Sequence, residues 1–168
     1  MIPIIRRIDE LGRIVIPKDI RKELKITKED LLKLEVKNNT IIINKNKENN
    51  DYIELCDKII NNLYKILKNN IIITNNSVVL ESKGIKLKNE EITDEIINKI
   101  MDRKKEYKNS NLNITYNLSI ETNYLLEPII VNSNAVGSII YYKDTIITEE
   151  EKKLIELSRL LLENYVEE

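Results

Sequence analysis

The spacing of apolar positions changes character several times along the chain. Residues 4–8 and 13–16 are short β-branched runs and read as strands, separated by Asp9-Glu10-Leu11-Gly12, a turn in which Gly12 can take a positive φ. Pro17 ends the second run and suits the first turn of a helix predicted over residues 18–25. That helix has three faces. Lys18, Arg21, Lys22 and Lys25 fall at i, i+3, i+4 and i+7 on one side, Ile20 and Leu24 form an apolar stripe, and Asp19 and Glu23 lie on a third side. Thr27 and Asp30 mark a turn. Leu32, Leu34 and Val36 then alternate with charged residues, and Ile41 and Ile43 alternate after Asn38-Asn39, a two-residue hairpin signal.

Residues 44–51 contain no apolar residue and hold the expected linker, which places one domain at 1–47, a connection at 48–52 and a second domain at 53–168. Beyond the connection, Tyr52, Cys56, Ile59, Ile60, Leu63, Ile66 and Leu67 follow helical spacing. Strands are predicted at 71–74 and 78–81 around Asn75-Asn76, a helix at 91–105, and a strand at 112–118. A hairpin is predicted from 124–131 and 135–143 through Asn132-Ser133-Asn134. A last helix starts at Thr148, which forms a capping-box pattern with Glu151. By strand alternation, Tyr141 and Tyr142 point to opposite faces, which reads as one core and one surface residue. The second part is therefore α-β-β-α-β-β-β-α, an antiparallel sheet flanked by helices, and the fold class is α+β.

The N-terminal β-β-α-β-β unit is too small to bury an adequate core by itself, and it has no disulfide or metal to staple it, so dimerisation is the expected remedy. Charge separates the two parts. Residues 1–47 carry twelve Lys/Arg against seven Asp/Glu, while residues 48–168 carry fifteen against twenty-one, within a chain of net charge −1. A basic piece joined to an acidic one fits a first part that meets a polyanion; chance segregation of surface charge is the bland alternative.

Composition removes several function classes. The chain has no His, the commonest general base and metal ligand, and its single Cys, Cys56, allows no intrachain disulfide or thiolate metal cluster. Cys56 lies on the apolar stripe of its helix and reads as a structural thiol. Gly84 and Gly137 stand alone, without a phosphate-cradling pattern. Glu149-Glu150-Glu151 reads as a first-turn run favoured by the helix dipole. No enzyme chemistry is expected and no cofactor is indicated. No apolar run approaches the ~18 residues of a membrane helix, so a cytoplasmic, nucleoid-associated protein is expected.

Arginine usage gives the strongest functional signal. Four of six arginines, Arg6, Arg7, Arg13 and Arg21, fall in the first 21 residues of a chain that otherwise prefers lysine. Arginine offers a rigid fork of donors that matches phosphate oxygens and guanine edges. With Lys18 and Lys22 these side chains form a candidate surface for double-stranded DNA, which would gain affinity by displacing counterions. Ordinary solvated surface cations are the competing reading.

The run Ile5-Arg6-Arg7-Ile8-Asp9-Glu10-Leu11-Gly12-Arg13-Ile14-Val15-Ile16-Pro17, followed by Ile20-Arg21-Lys22-Glu23-Leu24, resembles the swapped-hairpin domain of AbrB-type transition-state regulators. That resemblance implies two chains exchanging hairpins into an interlaced dimer whose arginines contact DNA. Arg6, Arg13 and Arg21 match those positions directly, Arg7 and Lys22 match positions where Arg and Lys alternate, and Lys18 falls where relatives vary. The segment Tyr124-Leu125-Leu126-Glu127-Pro128-Ile129-Ile130-Val131, with Ala135-Val136-Gly137-Ser138-Ile139-Ile140, extends the resemblance to sporulation regulators that join this domain to a GAF-like domain. This wider resemblance implies a homotetramer assembled through the C-terminal domains, with room for an unidentified small-molecule effector. The alternative is an AbrB-type antitoxin or protein-interaction module, whose wrapping tail is usually short and disordered, unlike the periodic residues 52–166.

Overall fold

A computed structural model describes residues 6–8, 10, 13–24, 26, 32–45 and 47–167. The architecture is α+β, in two compact units, Met1–Asn49 and Asn50–Glu168.

In the first unit, helix α1 spans Lys18–Glu23 and strands β1 (Leu32–Lys37) and β2 (Thr40–Lys45) form a two-stranded antiparallel sheet. Asn38 and Asn39 close the hairpin with φ of 48° and 61°, a left-handed pair that Asn tolerates and that matches strand twist. The register sets Leu34 opposite Ile43 and Val36 opposite Ile41, so the apolar residues share one face.

Two expectations change here. The described parts of the predicted first strands, residues 6–8 and 13–16, take part in no ladder. A β-branched run becomes a strand only when another strand takes its backbone groups, and no described residue of this chain does so. The helix expected over 18–25 ends at Glu23. Residues 4 and 5, Asp9, Leu11, Gly12, Lys25 and the Thr27–Asp30 turn lie outside the described residues.

The expected linker 48–52 is helical, because α2 spans Lys47–Leu67. The polar composition of residues 47–51 gave no apolar periodicity to read, although Lys and Glu are good helix formers. From Tyr52 onward the helix carries the predicted stripe: Cys56, Ile59, Ile60, Leu63 and Leu67 are buried.

The second unit is a five-stranded antiparallel sheet in the order β4-β3-β7-β6-β5, built from β3 (Asn70–Asn75), β4 (Val79–Lys83), β5 (Glu106–Thr115), β6 (Leu118–Val131) and β7 (Asn134–Lys143). Helices α2 and α4 (Glu149–Glu167) cover one face, packing on Ile71, Ile73, Leu125, Ile139 and Tyr141. Helix α3 (Asp94–Met101) covers the other with Ile96 and Ile100 against Ile72, Leu126, Ile140 and Tyr142. Tyr141 and Tyr142 do point to opposite faces, but both are buried, because both faces carry helices. Here alternation separates two cores, and no surface face exists at that position.

Element lengths differ from expectation for local reasons. Thr93 caps α3, its hydroxyl accepting from the Ile96 N–H, which leaves Ile92 free to bridge Thr115 of β5. Arg103, at φ 56°, turns the chain into a β5 that starts well before residue 112. The β6–β7 turn is the two-residue pair Asn132-Ser133, with φ of 48° and 63°. The capping box at α4 is present: the Glu151 N–H donates to Thr148 Oγ1 at 3.3 Å and the Thr148 N–H to Glu151 Oε2 at 2.7 Å.

Glu91 and Ile92 bridge Val78 and Thr115, which flank opposite edges of the sheet. Flat strands would hold those edges about 19 Å apart, far beyond what adjacent residues can span. The sheet therefore curls at this end, and the Leu87–Thr93 segment straps the α3 face. Gly137 makes a close crossing possible, since a Cβ there would lie 2.0 Å from the Thr74 carbonyl oxygen.

Candidate nucleic-acid interface

In α1 the Arg21 N–H bonds back to the Pro17 carbonyl at 3.0 Å and the Leu24 N–H to that of Ile20 at 2.9 Å. Pro17 sits just outside the first helical residue, one position earlier than the sequence suggested. Asp19 lies in the first turn and Arg21 and Lys22 in the last, as the helix dipole favours. Lys18, Arg21 and Lys22 project from the helix into solvent, on the shared face that their spacing required. Arg7 and Arg13 are exposed on the segments before the helix.

Behind these cations lies an apolar groove of about 460 Å³, lined by Ile14 to Pro17, Ile20, Leu24, Ile26 and Ile43 with Arg6 at its wall. Arg6 is thus brought to the same element that carries Lys18, Arg21 and Lys22. The hairpin's apolar face is open as well, with Leu34, Val36 and Ile41 at 66%, 78% and 66% exposure. α1 buries no residue completely. Among the described residues of the first unit, Ile14, Val15, Leu24, Leu34, Val36 and Ile41 are exposed, and so are Arg7, Lys18, Arg21 and Lys22.

The second unit holds several of its charged groups differently, in clusters paired within the chain. Tyr124 and Lys99 donate to Glu106, the lysine at 2.8 Å, with Lys108 Nζ at 3.2 Å. Burial alone would raise the Glu106 pKa, but hydrogen bonds from Lys99, Tyr124 and Lys108 outweigh it and hold the carboxylate at about 2. On the opposite face Glu127 is 2% exposed, with Lys105 Nζ at 2.6 Å and Arg159 Nε at 3.1 Å. Glu163, paired with Arg159, also accepts the Ile130 N–H at 2.7 Å, where the β6–β7 register shifts. Cys56 is buried, and burial pushes its thiol up to about 12, which removes thiolate reactivity near neutral pH. Among the described residues no group of three or more His, Cys, Asp or Glu could hold a metal ion, and no helix is long and apolar enough to cross a membrane.

One feature was not anticipated from the sequence. Leu157, Leu160 and Leu161 of α4 are 54%, 41% and 51% exposed. The run Leu160-Leu161-Leu162 carried the signal, because three consecutive leucines span an arc wider than one buried stripe.

Comparison with known proteins separates the same two parts. Residues 5–51 match the family model for antidote-toxin recognition MazE, bacterial antitoxin. The chain is 28% identical to stage V sporulation protein T of Bacillus subtilis (strain 168) over 174 residues, covering 98% of this chain and 97% of that protein. It is 46% identical to the transition state regulatory protein AbrB of the same organism over 46 residues, 27% of this chain and 48% of that one. Among solved structures, the Thermosynechococcus elongatus PixJ GAF domain in its blue-light-absorbing form superposes with a TM-score of 0.55 at 13% identity, covering 71% of this chain and 89% of that chain. The GAF domain of an Acinetobacter phosphoenolpyruvate-protein phosphotransferase gives 0.50 at 11%, covering 71% and 93%. The N-terminal part is thus AbrB-like, the whole chain is similar to the sporulation protein, and the C-terminal fold is GAF-like.

Proposed function

We propose that this chain is a DNA-binding transcriptional regulator of the sporulation or transition-state kind. Its AbrB-like domain, residues 1–47, forms a homodimer by exchanging hairpins and grips double-stranded DNA through Arg6, Arg7, Arg13, Lys18, Arg21 and Lys22. The GAF-like domain, residues 53–168, supplies further self-association to a tetramer and a place for a small effector. The observation that carries the reading is the joint exposure of cations and core residues in the first unit. A surface that opens Val36, Ile41 and the Ile14–Pro17 groove to water has no cover among the described residues, and a second copy of the same hairpin has the matching period. Similarity to a sporulation protein and to a transition-state regulator supports the same assignment.

Binding of the full chain to duplex DNA, followed across a salt series, tests it. Arg13→Ala or Arg21→Ala should weaken binding without changing the circular dichroism. Each lost phosphate contact should lower the magnitude of the salt slope by about 0.9. Variants that bind as the parent does would remove these residues from the interface.

The family match to MazE favours one second reading, an antitoxin. It predicts that the chain captures a toxin through residues beyond the AbrB-like domain. Here those residues form a packed sheet with two cores, where a wrapping tail would be extended.

A further inference from the structure

The second unit is acidic as a whole, but one of its turns is not. Arg103-Lys104-Lys105, between α3 and β5, is its longest run of consecutive cations, and all three residues are exposed. The carboxylates around the turn are matched within the chain. Lys99 and Lys108 pair with Glu106, Lys105 and Arg159 with Glu127, and Lys152 with Glu149. Glu156 lies 3.7 Å from Lys105. Asp102 is exposed at the α3 C-cap, and among the described residues neither it nor any other carboxylate pairs with Arg103 or Lys104.

Two features single out Arg103. Among the described residues of this unit it is the one exposed arginine, since Arg159 is tied between Glu127 and Glu163. Its φ is 56°, in the left-handed region that a residue with a Cβ enters at a cost, and four of the six other non-glycine residues there are Asn. Lys68 is an internal comparison, because it too follows a helix, α2, at φ 54°. The helix dipole favours a cation at either position, and lysine meets that need after α2. It does not account for a guanidinium after α3 in a chain that prefers lysine. A scarce residue held in a strained conformation points to a role outside the fold. The Asp102 and Arg103 N–H groups bond to the Asn98 and Ile100 carbonyls at 2.9 and 3.1 Å, so the backbone presents the side chain from a fixed turn.

We infer that the Arg103-Lys104 turn is a second DNA contact, through which the C-terminal unit holds phosphates of the duplex that the first unit grips. The inference rests on the DNA-binding reading above and extends the interface outside the AbrB-like domain. A guanidinium and an ammonium on adjacent residues suit phosphate oxygens and need no base edge. A protein partner fits less well. The large exposed apolar side chains beside the turn are Met101 and Tyr107, at 49% and 38%, and the Lys152 ammonium lies 4.1 Å from the Tyr107 ring centre. Residues 48–168 carry twenty-one Asp/Glu against fifteen Lys/Arg, so the rest of the unit repels the duplex and leaves this turn as the side that approaches it. Alone the contact is weak, and a first unit already bound supplies the effective concentration that makes it count.

Binding of the full chain to a long mixed-sequence duplex across a salt series tests it, with Arg103→Asn and Lys104→Gln combined. Asn suits a left-handed backbone, so the variant should melt no earlier than the parent while it binds DNA several-fold more weakly. The magnitude of the salt slope should fall by about 0.9 for each lost phosphate contact. Lys104→Gln alone should give half that fall, which keeps the result independent of any change at the Arg103 backbone. Lys68→Asn is the matched control. It removes one charge at the same backbone conformation, toward the opposite end of the sheet, because β3 and β5 run antiparallel to each other. It should leave the slope as it is in the parent. An equal fall at Lys68 would show a response to net charge alone and would overturn the contact. A double variant that binds as the parent does, while Arg13→Ala weakens binding, would also overturn it, leave the first unit's interface standing and assign the turn to an acidic protein. If Arg13→Ala leaves binding intact as well, the DNA-binding reading falls and takes this contact with it.

Discussion

Both units contain an antiparallel hairpin closed by two residues of positive φ, Asn38-Asn39 in one and Asn132-Ser133 in the other. In the first, the side chains opposite one another, Val36 and Ile41, stand in water. In the second, Leu126 and Ile140 are also paired and completely buried. The local grammar is the same, so the difference comes from what lies above the sheet. The second unit has 119 residues, enough to bring a helix to each face of its sheet. The first has 49 and cannot. A short β unit with a correct hairpin pattern and an uncovered face is what the proposed exchange of hairpins would complete, and on that proposal its association and its function belong together.

The comparison breaks hardest at Gly137. β3 and β7 approach so closely there that a methyl group would meet the Thr74 carbonyl at 2.0 Å and the Asn75 Cα at 3.1 Å, both backbone atoms that cannot rotate away. Gly137→Ala should cost at least about 3 kcal/mol, the upper end of overpacking penalties. In urea unfolding of the full chain, the second unit's transition should shift and the first unit's should not. A cost below about 1 kcal/mol would mean that the strands part easily, and the self-contained character of this unit would be overstated.

Matched truncations sharpen the contrast. Ile139→Ala removes a side chain buried between the sheet and the two outer helices, and should cost about 2–5 kcal/mol at any protein concentration. Val36→Ala trims a side chain that one copy leaves in water. Its cost should appear as a concentration-dependent shift of the first unit's transition, because the proposed hairpin exchange places the contact it weakens between copies. If dilution leaves that shift unchanged, the hairpin face is covered by its own chain.

The same contrast explains what the sequence disclosed. Where the signal is local it was sufficient: Asn38-Asn39 and the Thr148 cap stand as expected, and of the predicted stripe Cys56, Ile59, Ile60, Leu63 and Leu67 are buried while Ile66 turns to solvent. Alternation and turn residues failed where the outcome depends on what a segment meets in the fold. Residues 13–16 have the composition of a strand but no ladder, and of Tyr141 and Tyr142 one reads as surface until helices are known to cover both faces of the sheet. The cations of the candidate interface were legible because arginine stands out in a lysine-rich chain. Their union with an apolar groove was not, since it depends on Ile43 returning beneath α1 from some twenty residues away.

The smallest effect concerns Glu106, whose cluster shows how the second unit settles its charges internally. Its carboxylate falls from an ordinary value of 4.5 to about 2, because hydrogen bonds from Lys99, Tyr124 and Lys108 outweigh the opposing effect of burial. The folded pKa is depressed, so this contribution is fully present above pH ~4.5 and is lost as pH falls toward 2. Glu106→Gln should therefore be less stable than the parent at neutral pH, and the difference should narrow steadily through that acid window. Burial and then the bond to Glu106 raise the Tyr124 pKa, which favours the neutral phenol in the folded state. That part of the stability is present below the phenol's ordinary value of 10.0 and is lost as pH rises beyond it, and the glutamine variant should lose part of it as well. Thermal melts across both limbs measure the two effects in one series. A difference between parent and variant that stays constant from neutral pH to the acid limit would show that Glu106 acts through packing, with no ionic share. In that case the internal settling of charge would rest on the other shielded pairs, such as Glu127 with Lys105 and Arg159, and Glu151 with Lys143.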